Sequence, residues 1–124
     1  MAVILVVDDN PVHRDLIVDL VKPLGHTVIH ASDGEEALRL LDGWGEQVPD
    51  LIIADYNMPK VNGLGLVNAI RQRESTKWLP VLMMTGSAQD IQSFVEAKGV
   101  GYLEKGKTSS EKIVEKIKFL LDGA

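Results

Sequence analysis

Short apolar runs alternate with helical patterns along the whole chain, and that alternation constrains the fold more than any other feature. Val3-Ile4-Leu5-Val6-Val7 is too short for a helix, is rich in β-branched residues, and is followed at once by Asp8-Asp9. It reads as a strand buried on both faces. Asn10-Pro11 then supplies a cap and a first helical residue. Val12, Leu16, Ile17, Leu20, Val21 and Leu24 recur at helical spacing, with Gly25 as the stop. Residues 27–31 read as a second strand. Ser32-Asp33-Gly34-Glu35 resembles a capping box ahead of a helix carrying Ala37, Leu38, Leu40 and Leu41. Leu51-Ile52-Ile53-Ala54 is a third strand, and residues 63 to about 71 a third helix. Pro80 introduces a fourth strand over 81–84, and the pattern around 89–97, ended by Gly99, predicts a fourth helix. Tyr102-Leu103 marks a short fifth strand, and Ser109 or Ser110 caps a fifth helix through Leu121.

Five strands alternating with five helices through short loops imply an α/β fold, a doubly wound parallel sheet with helices on both faces. Ligands of such sheets bind beyond the carboxyl ends of the strands, where strand order reverses. In the flavodoxin-like order 2-1-3-4-5 that point lies between strands one and three. Asp8-Asp9 and Asp55 are the residues that fall there. At 124 residues, with no repeat, low-complexity stretch or linker, residues 1–124 read as one domain.

Composition removes several functions. A net charge of −5 argues against direct, non-specific nucleic-acid binding by this domain. The chain has no cysteine, which excludes disulfides, a thiolate nucleophile and a cysteine-ligated metal. The opening apolar run spans five residues and ends in acids, so it is neither a signal peptide nor a membrane span. The expectation is a cytoplasmic protein with no membrane insertion.

The polar residues at the predicted strand ends carry the chemistry. Asp8, Asp9 and Asp55 gather carboxylates that a fold keeps together at a cost unless a cation or phosphoryl group uses them. Magnesium (Mg2+) prefers such oxygens while keeping several waters. Thr85-Gly86-Ser87 brings a hydroxyl to the end of strand four, and Glu104-Lys105 brings an ammonium to the end of strand five. Hydroxyl and lysine are donors for the oxygens of a transferred phosphoryl group. Asp55 is the natural nucleophile, since a carboxylate forms an acyl phosphate without a neighbouring base. Met83-Met84 read as core filling, and Trp44 and Trp78 as packing residues. His13, His26 and His30 are scattered and receive no role in phosphotransfer.

Over essentially its whole length the chain resembles a two-component response regulator receiver domain, the CheY-like family. The resemblance implies that Asp8 and Asp9 are the acidic pair that holds Mg2+ and that Asp55 is the phosphorylated aspartate. Asn57 falls where a backbone carbonyl joins the metal shell, and Met58-Pro59 and Asn62-Gly63 fit the turn into helix three. Thr85 matches the switch hydroxyl, Tyr102 the aromatic that turns inward on activation, and Lys105 the pairing lysine. Ser87 reads first as a first-turn or cap residue, and tuning of phosphoryl lifetime, together with Asn57, is its alternative role. Two positions depart from the family pattern. Gly106 follows Lys105 in place of proline, and Glu104 stands where an apolar residue is usual. A non-proline bond is trans by default, so Lys105-Gly106 is expected trans, with Lys105 still reaching Asp55 and a more mobile stretch over 106–109.

The function implied is a phosphorylation-controlled signalling switch. Asp55 would take a phosphoryl group from a phosphohistidine of a sensor histidine kinase, or of a histidine phosphotransfer protein. The domain would catalyse its own aspartyl phosphorylation and dephosphorylation, without being a metabolic enzyme. Its output would be a protein-binding surface around helix four, strand five and helix five, read by an unidentified downstream protein. With nothing after Ala124, a stand-alone regulator is expected rather than an excised domain. The competing reading is a receiver-like protein-binding module without phosphotransfer. A phosphohydrolase lacks its second acid, because Asn57 stands two residues after Asp55, and nucleotide binding lacks a G-x-G-x-x-G after strand one.

Overall fold

A computed structural model describes residues 2–43, 48–56, 58, 62–86 and 100–122. Strands β1 (Val3–Val7), β2 (Thr27–Ala31), β3 (Leu51–Asp55), β4 (Val81–Thr85) and β5 (Gly101–Glu104) form one parallel sheet in the order β2-β1-β3-β4-β5. Helices α1 (Pro11–Val21), α2 (Gly34–Gly43), α3 (Gly63–Gln72) and a C-terminal helix (Ser110–Leu121) are described. The expected fourth helix and Trp44 lie outside the described residues.

The central strands are buried along their whole length because helices cover both faces, which is why their sequences run apolar instead of alternating. Successive side chains point to opposite faces. Leu5, Val7, Ile52, Ala54 and Met83 join one core with Ala37 and Leu41 of α2 and Leu66, Val67 and Ile70 of α3. Ile4, Val6, Ile53 and Met84 join the other with Ile17 and Val21 of α1 and Ile113 and Ile117 of the C-terminal helix. Met83 and Met84 are thus core residues of different layers.

Local chemistry fixes the helix starts. The Asn10 side chain accepts from the Val12 and His13 N–H groups at 2.9 and 3.3 Å, with Pro11 behind it. At α2 the capping box sits one residue later than the sequence suggests. Asp33 Oδ1 accepts from the Glu36 N–H at 2.8 Å, while the Glu36 carboxylate reaches back to the Ser32 N–H at 3.1 Å. Asn62 caps α3 and Ser109 the C-terminal helix.

Two expectations need correction. The first helix ends at Val21 and tightens into a 3-10 turn over Lys22–Leu24, since Pro23 has no N–H to continue an α-helix. Gly25, at φ +89°, still ends the run in the left-handed conformation. Trp78 is 62% exposed, so it is not the packing residue expected. No helix among the described residues is long and apolar enough to cross a membrane.

Candidate functional site

Strand register assembles the site. Val7 pairs with both Ala31 and Ala54, so the next residues, Asp8 and Asp55, emerge side by side from β1 and β3. This is the crevice where the chain leaves the sheet in opposite directions. Asp55 pairs with Met84, and Thr85 with Glu104, which places Thr85 and Lys105 along the same edge. The Lys105 N–H donates to the Thr85 carbonyl at 2.6 Å and extends the ladder by one residue.

Carboxylate oxygens of Asp8, Asp9 and Asp55 lie within 4.8 Å of one another. Asp8 and Asp55 are buried, at 2% and 5% exposure, and Asp9 is exposed. Lys105 Nζ lies 3.0 Å from Asp55 Oδ1 and 3.6 Å from Asp8 Oδ2. Thr85 is buried at 2%. Tyr102 is half-buried against the α2/α3 core. The sequence therefore places Asp8, Asp9, Asp55 and Lys105 in contact range and Thr85 on the same edge. Asn57 and Ser87 lie outside the described residues, as does Pro59.

The Lys105-Gly106 peptide is trans, as expected, and Gly106 takes up the change of direction at φ +78°. The turn that follows is closed by hydrogen bonds. Thr108 Oγ1 donates to the Glu104 carbonyl at 2.7 Å, and Lys107 Nζ pairs with the Glu104 carboxylate at 3.0 Å. Glu104, the second departure, thus serves this turn.

Sequence reasoning missed His13. Its Nδ1 contacts Asp8 Oδ2 directly, and the Asn10 N–H donates to Asp8 Oδ1 at 2.9 Å. Burial raises the Asp8 carboxyl. The His13 hydrogen bond, the Asn10 N–H and the positive charges of Lys105 and His13 outweigh it, so Asp8 sits below its ordinary value of 3.8. The available signal was positional. His13 is in the first turn of α1, and helical side chains lean toward the N-terminus, which here adjoins Asp8.

The donor set fits a hard divalent cation. The candidate ligands clustered among the described residues are carboxylate oxygens, the arrangement that suits magnesium, calcium or manganese over softer metals. Like charges held this close repel, and a cation offsets that repulsion.

Comparison with known proteins agrees with this geometry. Residues 4–118 match the response regulator receiver domain family. The chain is 38% identical over 123 residues to the chemotaxis protein CheY of Pseudomonas aeruginosa, covering 92% of this chain and 97% of that one. It is 34% identical over 116 residues to the gliding motility regulatory protein of Myxococcus xanthus, covering 92% of this chain but only 14% of that protein's length. Among solved structures, the receiver domain of the sensor histidine kinase PA1611 from P. aeruginosa superimposes with a TM-score of 0.85 at 26% identity, covering 98% of each chain. That domain was determined with a magnesium ion coordinated in its active-site cleft. The chain belongs to the response regulator receiver domain family of two-component systems. Receiver domains generally bind magnesium at an acidic pocket and are controlled by phosphorylation.

Proposed function

We propose that residues 1–124 act as a phosphoacceptor switch, with Asp55 as the residue phosphorylated. The observation that carries this reading is the juxtaposition at Asp55: a buried carboxylate with Lys105 Nζ 3.0 Å away and two further carboxylates alongside. A carboxylate oxygen of Asp55 forms the new O–P bond as the N–P bond of a donor phosphohistidine breaks, leaving neutral histidine on the donor. The donor is a histidine kinase or a histidine phosphotransfer protein. Asp8, Asp9, Asp55 and the Asn57 carbonyl would hold magnesium, which supplies charge neutralisation for the phosphoryl oxygens when bound. Lys105 and the Thr85 hydroxyl donate to those oxygens, and Thr85 and Tyr102 relay the change to the surface around β5 and the C-terminal helix. Asn57 and Ser87 would tune how long the phosphoryl group persists. The downstream partner is a protein that reads this surface.

Incubation with acetyl phosphate and magnesium, followed by intact-mass measurement, tests the reading. The expected result is a gain of about 80 Da, one phosphoryl group, in the wild type and none in Asp55→Asn, whose amide cannot form the acyl phosphate. No gain in the folded wild type would favour a protein-binding module without phosphotransfer. An undiminished gain in Asp55→Asn would place the acceptor elsewhere.

A further inference from the structure

We infer that His13 is a positioning residue for the metal site, acting through Asp8; this rests on the proposed reading of the acidic cluster. Asp8 is buried, and its two carboxylate oxygens are held by different groups. Oδ1 receives the Asn10 N–H at 2.9 Å. Oδ2 receives His13 Nδ1, while Lys105 Nζ stands 3.6 Å away and closer, at 3.0 Å, to Asp55. An ionised carboxylate only accepts, so the nitrogen of His13 that faces it carries the hydrogen. The next residue grips the same aspartate by its backbone, since Arg14 Nη1 donates to the Asp8 carbonyl at 3.2 Å. The first turn of α1 therefore fixes both the main chain and the side chain of Asp8.

Two consequences follow for the site. The Asp8 carboxylate is held in one orientation before a cation arrives, so less ordering remains to be done on binding. Lys105 is also left to Asp55, because His13 satisfies the Asp8 oxygen that would otherwise compete for the ammonium. Groups that hydrogen-bond to metal-ligating carboxylates typically change metal affinity when removed, by about 10–100-fold.

The experiment is isothermal titration of the phosphate-free full chain with magnesium chloride, on wild type, His13→Leu, His13→Asn and His13→Gln. Asparagine presents an amide N–H near the position of Nδ1, whereas glutamine extends past it and leucine has no donor. His13→Leu and His13→Gln should bind magnesium about tenfold more weakly than wild type. His13→Asn should recover most of the loss. Thermal melts without metal check that each variant is folded, and the Asn and Gln variants carry the comparison if Leu is not. Unchanged or tighter binding by His13→Leu would overturn the inference, as would equal weakness of the Asn and Gln variants. A wild type that binds no magnesium would instead overturn the metal reading of the cluster, and the inference with it.

Discussion

Lys105 Nζ and Asp55 Oδ1 stand 3.0 Å apart, across an edge where the intervening strand β4 contributes Thr85 between them. The ammonium is a cation that the protein itself places against these acids. Replacing it by methionine keeps the aliphatic stem and removes the charge. Lys105→Met should therefore lower stability without metal by about 1–3 kcal/mol, as expected when buried charged acceptors lose a donor. Magnesium should return most of that loss, because it neutralises the same carboxylates. Urea denaturation with and without magnesium checks this, and a metal-independent deficit would contradict it.

Gly63 lies against Tyr56, the residue that follows Asp55. Its N–H donates to the Tyr56 carbonyl at 2.8 Å, and a Cβ at this position would stand 2.7 Å from Met83 Sδ and 2.8 Å from Tyr56 Cα. Backbone next to Asp55 cannot move aside cheaply. Gly63→Ala should cost about 1–3 kcal/mol, the range for overpacking a close-packed site. It should also weaken magnesium binding, because Tyr56 adjoins Asp55. Loss of stability with unchanged magnesium affinity would show that the strain is absorbed at Met83 alone.

Much of this arrangement was legible in the sequence. Apolar runs ending in Asp8 and Asp55 gave both the strands and the site, because parallel strands in this order deliver their carboxyl ends to one edge. What the sequence concealed was tertiary. The Asp8 contact of His13 depends on how the chain turns from β1 into α1. Val12 and Leu16 share the helical spacing of Ile17 and Val21, yet both are exposed, at 79% and 49%. The spacing continued past Val21 to Leu24, but Pro23 converted that last turn to 3-10 geometry. Trp78 has the size and apolarity of a packing residue, yet most of it is exposed.

Asp8 makes stability depend on acid in a defined direction. Its carboxyl is held below 3.8 in the folded protein, so between the folded and unfolded values the unfolded chain binds more protons. The contribution is present in full above the unfolded value and is lost as pH falls through the folded one. Chemical denaturation of the metal-free protein below about pH 4 should show wild type losing stability more steeply than Asp8→Asn. Parallel acid limbs would mean that the hydrogen bonds to Asp8 persist when it is protonated.

The proposed switch makes the most specific demand. Phosphorylation of Asp55 replaces one carboxylate charge by the roughly two negative charges of a phosphoryl group, at the edge where Thr85 and Lys105 lie. Thr85 is buried, pairs with Glu104 in the ladder, and accepts the Lys105 N–H at 2.6 Å through its carbonyl. Movement of Thr85 toward a phosphoryl oxygen would thus pull on β5 directly, two residues from Tyr102. Thr85→Ala keeps every one of those backbone bonds and removes the hydroxyl that would be drawn inward, together with the γ-methyl. The variant should accept phosphate, with the same mass gain as wild type, yet leave amide exchange over 101–105 unchanged. Phosphorylated wild type should alter it. Equal responses in the two proteins would mean that β5 senses the new charge through Lys105 and not through the Thr85 hydroxyl.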